Sequence, residues 1–179
     1  MLTKNNKFSN PIIKDEIEIL YESEEKLVFR TYLKPNGGQS GFHYHTKISE
    51  TFKVIKGELN VIINKNEKKL KDKDQITIRE FESHRFYNKS GKNVIFDVEI
   101  TPAREMKKGL QLFYGLAKDG KVYRNNMPKN IFYLAIGVNM MDAYIPNTPI
   151  ILQKISISTL LLISKVLGIN KRIINKYCF

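Results

Sequence analysis

In the stretch GFHYHTKISETFKVIKG, Gly41 to Gly57, two histidines stand one residue apart at His43 and His45, and a carboxylate, Glu50, follows after a short polar turn. Residues two apart on a strand project from one face, so a strand through this stretch turns both imidazoles the same way and Tyr44 the other. Glu50 falls at the start of the next run, within reach across a ladder of the space in front of the two rings. The third and last histidine, His84, belongs to a separate strand-like run, HRFYN, which a barrel closing on itself brings to the same interior point. Three imidazoles with one carboxylate suit Fe, Mn, Ni, Cu or Zn, and leave positions open for water or substrate. Taken alone, a His-x-His pair is equally what a structural strand carries. No nucleophile elbow, phosphate-cradling loop or neighbouring Cys and His appears, so chemistry in this chain centres on a metal.

The elements that must position these groups are short and β-rich from Asp15 to about Thr101: EIEILY, KLVFRTYL, TFKVIKG, ELNVIIN, QITI, HRFYN and NVIFDVEI, separated by Gly, Asn, Lys and Asp. Regular spacing of short strands implies a sandwich or barrel. The lysine-rich KNEKKLKDKD, Lys65 to Asp74, reads as the turn of a hairpin. With the histidines and Glu50 inward, alternation turns Phe52, Val54, Phe86 and Asn88 inward too, giving a mostly apolar pocket for a small, partly apolar molecule. Asp97 and Glu99 alternate with Phe96, Val98 and Ile100, so the two acids are expected on the outer face and would supply a general base only if that face were the barrel interior. After Pro102 the spacing becomes helical, through REMKKGLQLFYGLAKDG, KNIFYLAIGVNMMDAY and PIILQKISISTLLLISKVLG. The division expected is an N-terminal arm over 1–14, a barrel over 15–101 and a helical, basic extension over 102–179.

Gly37, His43, His45, Glu50 and Gly57 follow the spacing of the first cupin motif throughout, and His84 with Asn88 match the end of the second. The chain resembles the cupin superfamily on these residues, and in particular small bacterial cupins with a helical C-terminal extension. Lys73, Arg79 and Phe81 depart from the second motif, standing where Gly, Pro and Gly are usual. Lys73 must therefore accept a turn conformation that glycine would adopt free of strain. The resemblance implies a mainly β fold, a double-stranded β-helix (jelly-roll) barrel followed by α-helices. It also implies one divalent transition metal held by His43, His45, Glu50 and His84. The family includes oxygenases, isomerases and lyases, so an enzyme of this kind would be metal-dependent, dioxygenase-like or isomerase-like. The alternative is a non-enzymatic ligand-binding or interaction module.

Composition narrows the setting. At 42% hydrophobic residues over 179 positions, the chain carries enough apolar surface for one compact core with an appended element. A lone cysteine, Cys178, excludes an intrachain disulfide, and MLTKNNKFSN lacks the apolar core of a secretory signal, so a cytoplasmic setting is expected. The net charge of +12 attracts nucleic acid, membranes and anionic ligands alike, and becomes informative only through its location. From Ala143 to Phe179 there is no acidic residue, while Lys154, Lys165, Lys171, Arg172 and Lys176 interrupt a run rich in Ile and Leu. On a helical wheel Lys154, Ser158 and Lys165 form a narrow stripe, and Leu152, Ile155, Leu162, Ile163 and Val166 form a broad face to bury. Lys154 and Lys165 are only about 16 Å apart along a helix, roughly half a hydrocarbon core, which argues against a span. The face therefore packs on the barrel, on a second subunit in a homodimer, or peripherally on an anionic membrane. Aliphatic rather than aromatic residues accompany the basic ones, so nucleic acid is not the expected partner.

Overall fold

The structure is a computed structural model and describes residues 6–39 and 41–178. Eleven strands and four helices follow one another along the described chain. The strands are β1 (Lys7–Asn10), β2 (Asp15–Glu22), β3 (Leu27–Leu33), β4 (Tyr44–His45), β5 (Ser49–Lys56), β6 (Leu59–Ile63), β7 (Asn66–Leu70), β8 (Gln75–Ile78), β9 (His84–Tyr87) and β10 (Val94–Thr101). Then come α1 (Met106–Lys118), α2 (Ile131–Met140), the short β11 (Ala143–Tyr144), α3 (Ile150–Val166) and α4 (Ile169–Tyr177).

Six strands form one antiparallel sheet in the order β1-β2-β3-β10-β5-β8, and three form another in the order β7-β6-β9. The smaller sheet is lengthened by the chain before β4, which bridges β9 at Gly38 with Tyr87 and at His43 with His84, and β4 then pairs with β11. Strict alternation packs the space between the sheets. Along β10, Val94, Phe96, Val98 and Ile100 are buried, and along β3, Leu27, Phe29, Thr31 and Leu33 are buried. Phe52, Phe86 and Phe96 meet edge to face with centroids 5.2 to 6.0 Å apart, an arrangement the ring quadrupoles favour. Asp97, on the outer face as its alternation implies, makes a two-pronged ion pair with Arg30 at 2.7 and 3.0 Å.

The lysine-rich stretch is not one turn but an edge strand with a turn at each end, the second closed by the Asp74 amide donating to the Lys71 carbonyl at 2.9 Å. Asn66 to Leu70 pairs residue for residue with β6, and the reversal is confined to Asn64 and Lys65, at φ of 47° and 73°. Two successive positive φ values give the strand-compatible twist of a two-residue hairpin, which Asn favours even where glycine is lacking. Exposed Lys68 and Lys69 then lie on an edge strand, where charge is the usual occupant.

Helix α1 packs Met106, Leu110 and Tyr114 onto the barrel core. On its other side, Leu112, Leu116 and Ala117 join Ile136, Met140, Ile173 and Tyr177 in a second core shared with α2 and α4. Close approach is built in: a Cβ at Gly115 would lie 2.3 Å from the Tyr177 ring, and one at Gly137 2.4 Å from the Phe113 ring. The face of α3 marked for burial on the helical wheel is instead left to solvent within this chain. Leu152, Ile155, Leu162, Ile163 and Val166 are all exposed, and the helix turns Ser164 and the Leu161 side inward. Among the described residues no single helix is long and apolar enough to cross a membrane; α3 and α4 satisfy length and composition only as a pair bent by 89°.

The departures from glycine in the second motif fall where the backbone is left-handed, with Lys73 at φ 73° and Phe81 at φ 64°. A side chain with a Cβ is strained there. Lys73→Gly is expected to stabilise the protein by about 0.5–1 kcal/mol after the entropy of the freer unfolded chain is subtracted. The check is the midpoint of urea unfolding, and a lower midpoint in the variant would contradict strain at this turn.

Candidate metal centre and cavity

Four side chains converge because three separate pairings bring them to one place. Pairing of His43 with His84 aligns the chain before β4 with β9. Glu50, near the start of β5, faces Ile78 on one side and Ile100 on the other, and so points into the barrel. The ligand-type nitrogens of His43, His45 and His84 lie within 4.8 Å of one another. Glu50 reaches the group with both oxygens, Oε1 at 3.3 Å from His45 Nε2 and Oε2 at 3.2 Å from His84 Nε2. His45, His84 and Glu50 are buried, while His43 keeps some exposure because it faces a cavity.

The far sides of two rings are held by main chain. His45 Nδ1 lies 3.0 Å from the carbonyl oxygen of Met141 and 3.2 Å from that of Asp142, and His84 Nδ1 lies 2.8 Å from that of Glu82. A carbonyl only accepts, so each Nδ1 carries a proton and, in a neutral ring, each Nε2 turns a lone pair toward the Glu50 carboxylate. Acceptor facing acceptor is unfavourable in a buried site, and His45 Nε2 finds no hydrogen-bond partner among the described residues. The arrangement therefore calls for a positive charge between carboxylate and rings, either a proton on an imidazole or a metal cation.

The ionisation of the group follows from these contacts. Burial would raise the Glu50 pKa, but the facing His45 and His84 rings, which donate to the carboxylate and oppose its charge once protonated, outweigh it and hold the carboxyl well below its usual range. Burial lowers the His45 pKa, and the Glu50 carboxylate, with the Asp142 carbonyl, more than reverses this, leaving it raised. His43 is different: burial first, then the neighbouring His84 and His45, hold it well below an ordinary imidazole, so it stays neutral and able to ligate. Three nitrogens and a carboxylate, with tautomers fixed by carbonyls behind them, fit a divalent transition metal.

In front of His43 and Glu50 opens a mostly apolar cavity of about 230 Å³. Phe52 and Phe86 line it as alternation predicts. Val54 does not, being buried one pair further along β5 within the core. Asn88 does not either. Its Nδ2 donates to the carbonyls of Leu33, Lys34 and Lys92, and its Oδ1 accepts from the Ser90 amide and hydroxyl, so it fastens two loops and has no polar atom to spare.

Most of the wall lies outside the strands. Met106, Leu110 and Phe113 from α1, and Leu134, Val138 and Met141 from or just after α2, close the barrel mouth. Asp142 ties this lid to the histidine strand, accepting from the Thr46 and Lys47 amides at 2.7 Å each and from the Thr46 hydroxyl at 3.0 Å. Sequence reasoning missed Asp142 because no spacing pattern links residues 96 apart; its occurrence in MMDAY, directly after a helical run, was the only available signal.

Residues 29–100 match the family model described as a cupin domain. That stretch is a cupin domain. No curated protein matches the chain. Among solved structures, a sugar phosphate isomerase from a cupin superfamily, from Silicibacter pomeroyi DSS-3, is similar at 21% identity over 52% of this chain and 62% of its own, with a TM-score of 0.48. The chain thus spans less than two thirds of that protein. An RmlC-like cupin from Shewanella frigidimarina is 16% identical over 59% of this chain and 91% of its own, at a TM-score of 0.49. A predicted oxalate decarboxylase from Thermotoga maritima is 22% identical over 49% and 80%, at 0.46. The cupin jelly roll here carries the helices of residues 106–177 on its open end.

One carboxyl in the cavity wall titrates unusually. Asp15 is buried and its pKa is raised to about 7 by loss of water, against a hydrogen bond from Tyr114 that works the other way. A folded pKa above the unfolded value means the neutral form stabilises the fold. That contribution is complete below pH about 4 and is lost as pH rises through about 7, a change on the order of 4 kcal/mol. Urea unfolding at pH 4 and pH 8 should show the stability of the wild type, relative to Asp15→Asn, falling across this window. A pH-independent difference between the two proteins would refute the assignment.

Proposed function

We propose that the protein binds, and as an enzyme transforms, a small organic molecule at a divalent transition metal held by His43, His45, His84 and Glu50. The observation that supports this most directly is the Glu50 carboxylate, buried against two imidazoles whose protonated nitrogens are turned away by main-chain carbonyls. Bound there, such a metal would supply Lewis-acid polarisation of a substrate carbonyl or activation of water or dioxygen. The chain's own residues do the rest. Glu50 offsets the cation's charge, the carbonyls of Met141, Asp142 and Glu82 orient the rings, and Phe52, Phe86 and the helical lid keep the reacting end of the ligand dry.

Elemental analysis of the purified protein is expected to give stoichiometric metal, with His45→Ala and His84→Ala each losing it. Asp142→Ala leaves every ligand in place but loosens the His45 support, and should weaken metal affinity by roughly 10–100-fold. Full metal retention in both histidine variants would defeat the proposal.

A second reading concerns α3 and is favoured by its exposed face. Ile151, Leu152, Ile155, Leu162, Ile163 and Val166 stand in solvent beside Lys154 and Lys165, in a segment without acidic residues. A self-complementary dimer through this face would bring like charges together with nothing to offset them, whereas anionic headgroups would neutralise the lysines while the apolar side chains enter the interface. The protein is accordingly expected to sediment with phosphatidylserine-containing vesicles, more weakly at high salt, and Ile155→Ser with Leu162→Ser should abolish this. A wild-type dimer that ignores vesicles, and that becomes monomeric in the same double variant, would assign the face to a second copy instead.

A further inference from the structure

At the other end of the cavity from the histidines is a polar pair that the metal reading does not use. Asp15 opens β2, and Thr31 lies on β3 in the inward row that also holds Ile17 and Phe96. Both line the same cavity as His43 and Glu50, and they are only 4% and 1% exposed. Asp15 Oδ2 accepts from the Tyr114 hydroxyl at 2.6 Å. Asp15 Oδ1 and Thr31 Oγ1, by contrast, are buried without a hydrogen-bond partner among the described residues. Buried polar atoms are paired in the great majority of cases, so two unpaired ones on residues that line a common cavity mark a place where a small side-chain shift would let something else supply the partner.

The chemistry of that partner follows from the atoms on offer. A carboxylate oxygen accepts only, and a threonine hydroxyl donates or accepts. No lysine or arginine among the described residues pairs with Asp15, and burial raises its pKa to about 7, so the group is an acceptor-only carboxylate above that pH and carries a proton below it. Above that pH the complement is a hydrogen-bond donor, either a hydroxyl or an ammonium. Between this pair and the histidines the wall is apolar, formed by Phe29, Val98, Phe52 and Leu110. Register gives the offset. Glu50 shares a row with Ile100 and Leu27, and Thr31 lies four residues beyond Leu27 on β3, about 13 Å along the strands.

We propose that Asp15 Oδ1 and Thr31 Oγ1 recognise the hydrogen-bond-donating terminus, hydroxyl or ammonium, of an elongated and otherwise apolar small molecule whose opposite end meets the histidine cluster. This deepens the reading of the cavity as a ligand site, and its test is designed to be independent of metal. The pair positions a ligand and touches no reacting atom.

The full chain, stripped of metal, is titrated by NMR at pH 8, where Asp15 is ionised, with three probes of similar length: 1-hexanol, hexylammonium and the donor-free methyl pentyl ether. Hexanol and hexylammonium are expected to bind at least about tenfold more tightly than the ether, as a site built for a donor rejects an analogue lacking one. Thr31→Val, which keeps the side-chain shape, should bring hexanol close to the ether. Asp15→Asn, which keeps an acceptor but loses the charge, should weaken hexylammonium selectively, separating the two donor types. Equal binding of all three probes by the wild type, or preferences unchanged in the Thr31→Val protein, overturns the proposal. Because no metal is present, either result leaves the metal analysis of the histidine variants to be judged separately.

Discussion

A single buried carboxylate organises the centre of this molecule. Glu50 can be charged inside a barrel only because His45 and His84 face it, and those rings can face it in one orientation only because main-chain carbonyls take their other nitrogens. An unpaired carboxylate at this depth would cost several kcal/mol. The pairings of β5 with β8 and β10, and the bridge between His43 and His84, are therefore constrained together: a slip of one residue would turn Glu50 outward and leave the imidazoles without a counter-charge. A cation between carboxylate and rings satisfies all of these requirements at once.

The helical extension takes part in the site and is more than an attachment. Its first two helices supply apolar wall, and the turn after α2 supplies both the Met141 and Asp142 carbonyls on His45 and the Asp142 carboxylate on the β4–β5 loop. Tyr114 joins α1 to Asp15 across the barrel mouth, so the lid has hydrogen bonds on two sides of the opening. Chemistry written in strand residues is thus shaped by helix residues. The third helix behaves otherwise, since one face packs on its neighbours and the opposite, more apolar face remains outside.

Much of this was legible in the sequence, for reasons that can be stated residue by residue. His43, His45 and Glu50 announce themselves through period-two geometry and spacing, and Val98 and Asp97 through clean alternation of inside and outside. Lys65 to Asp74 was misread because its charge suggested a loop, whereas an edge strand accepts lysine as readily, and the true turn at Asn64 and Lys65 lacks the expected glycine. The wheel of α3 displayed two faces correctly but could not say which one its neighbours would take. That choice came from the Gln153 side chain bonding Ile145 and Thr148, and from small Ser164 fitting the inner side. Asp15 reads as an ordinary polar residue opening a strand; its burial comes from Tyr114, 99 residues later.

The reach of Asp142 back to Thr46 also sets an order of events. All four metal-type side chains lie before residue 85, yet the carbonyls that orient His45 arrive with residues 141 and 142, across 96 and 97 positions of chain. Contacts of such separation form only after intervening segments have paid their loop-closure entropy, so they complete late in folding. During synthesis the barrel strands emerge first, and His45 lacks its Nδ1 acceptors until the turn after α2 is in place. The orientation of His45 therefore depends on residues made well after it, even though every residue that would touch the ion is made early.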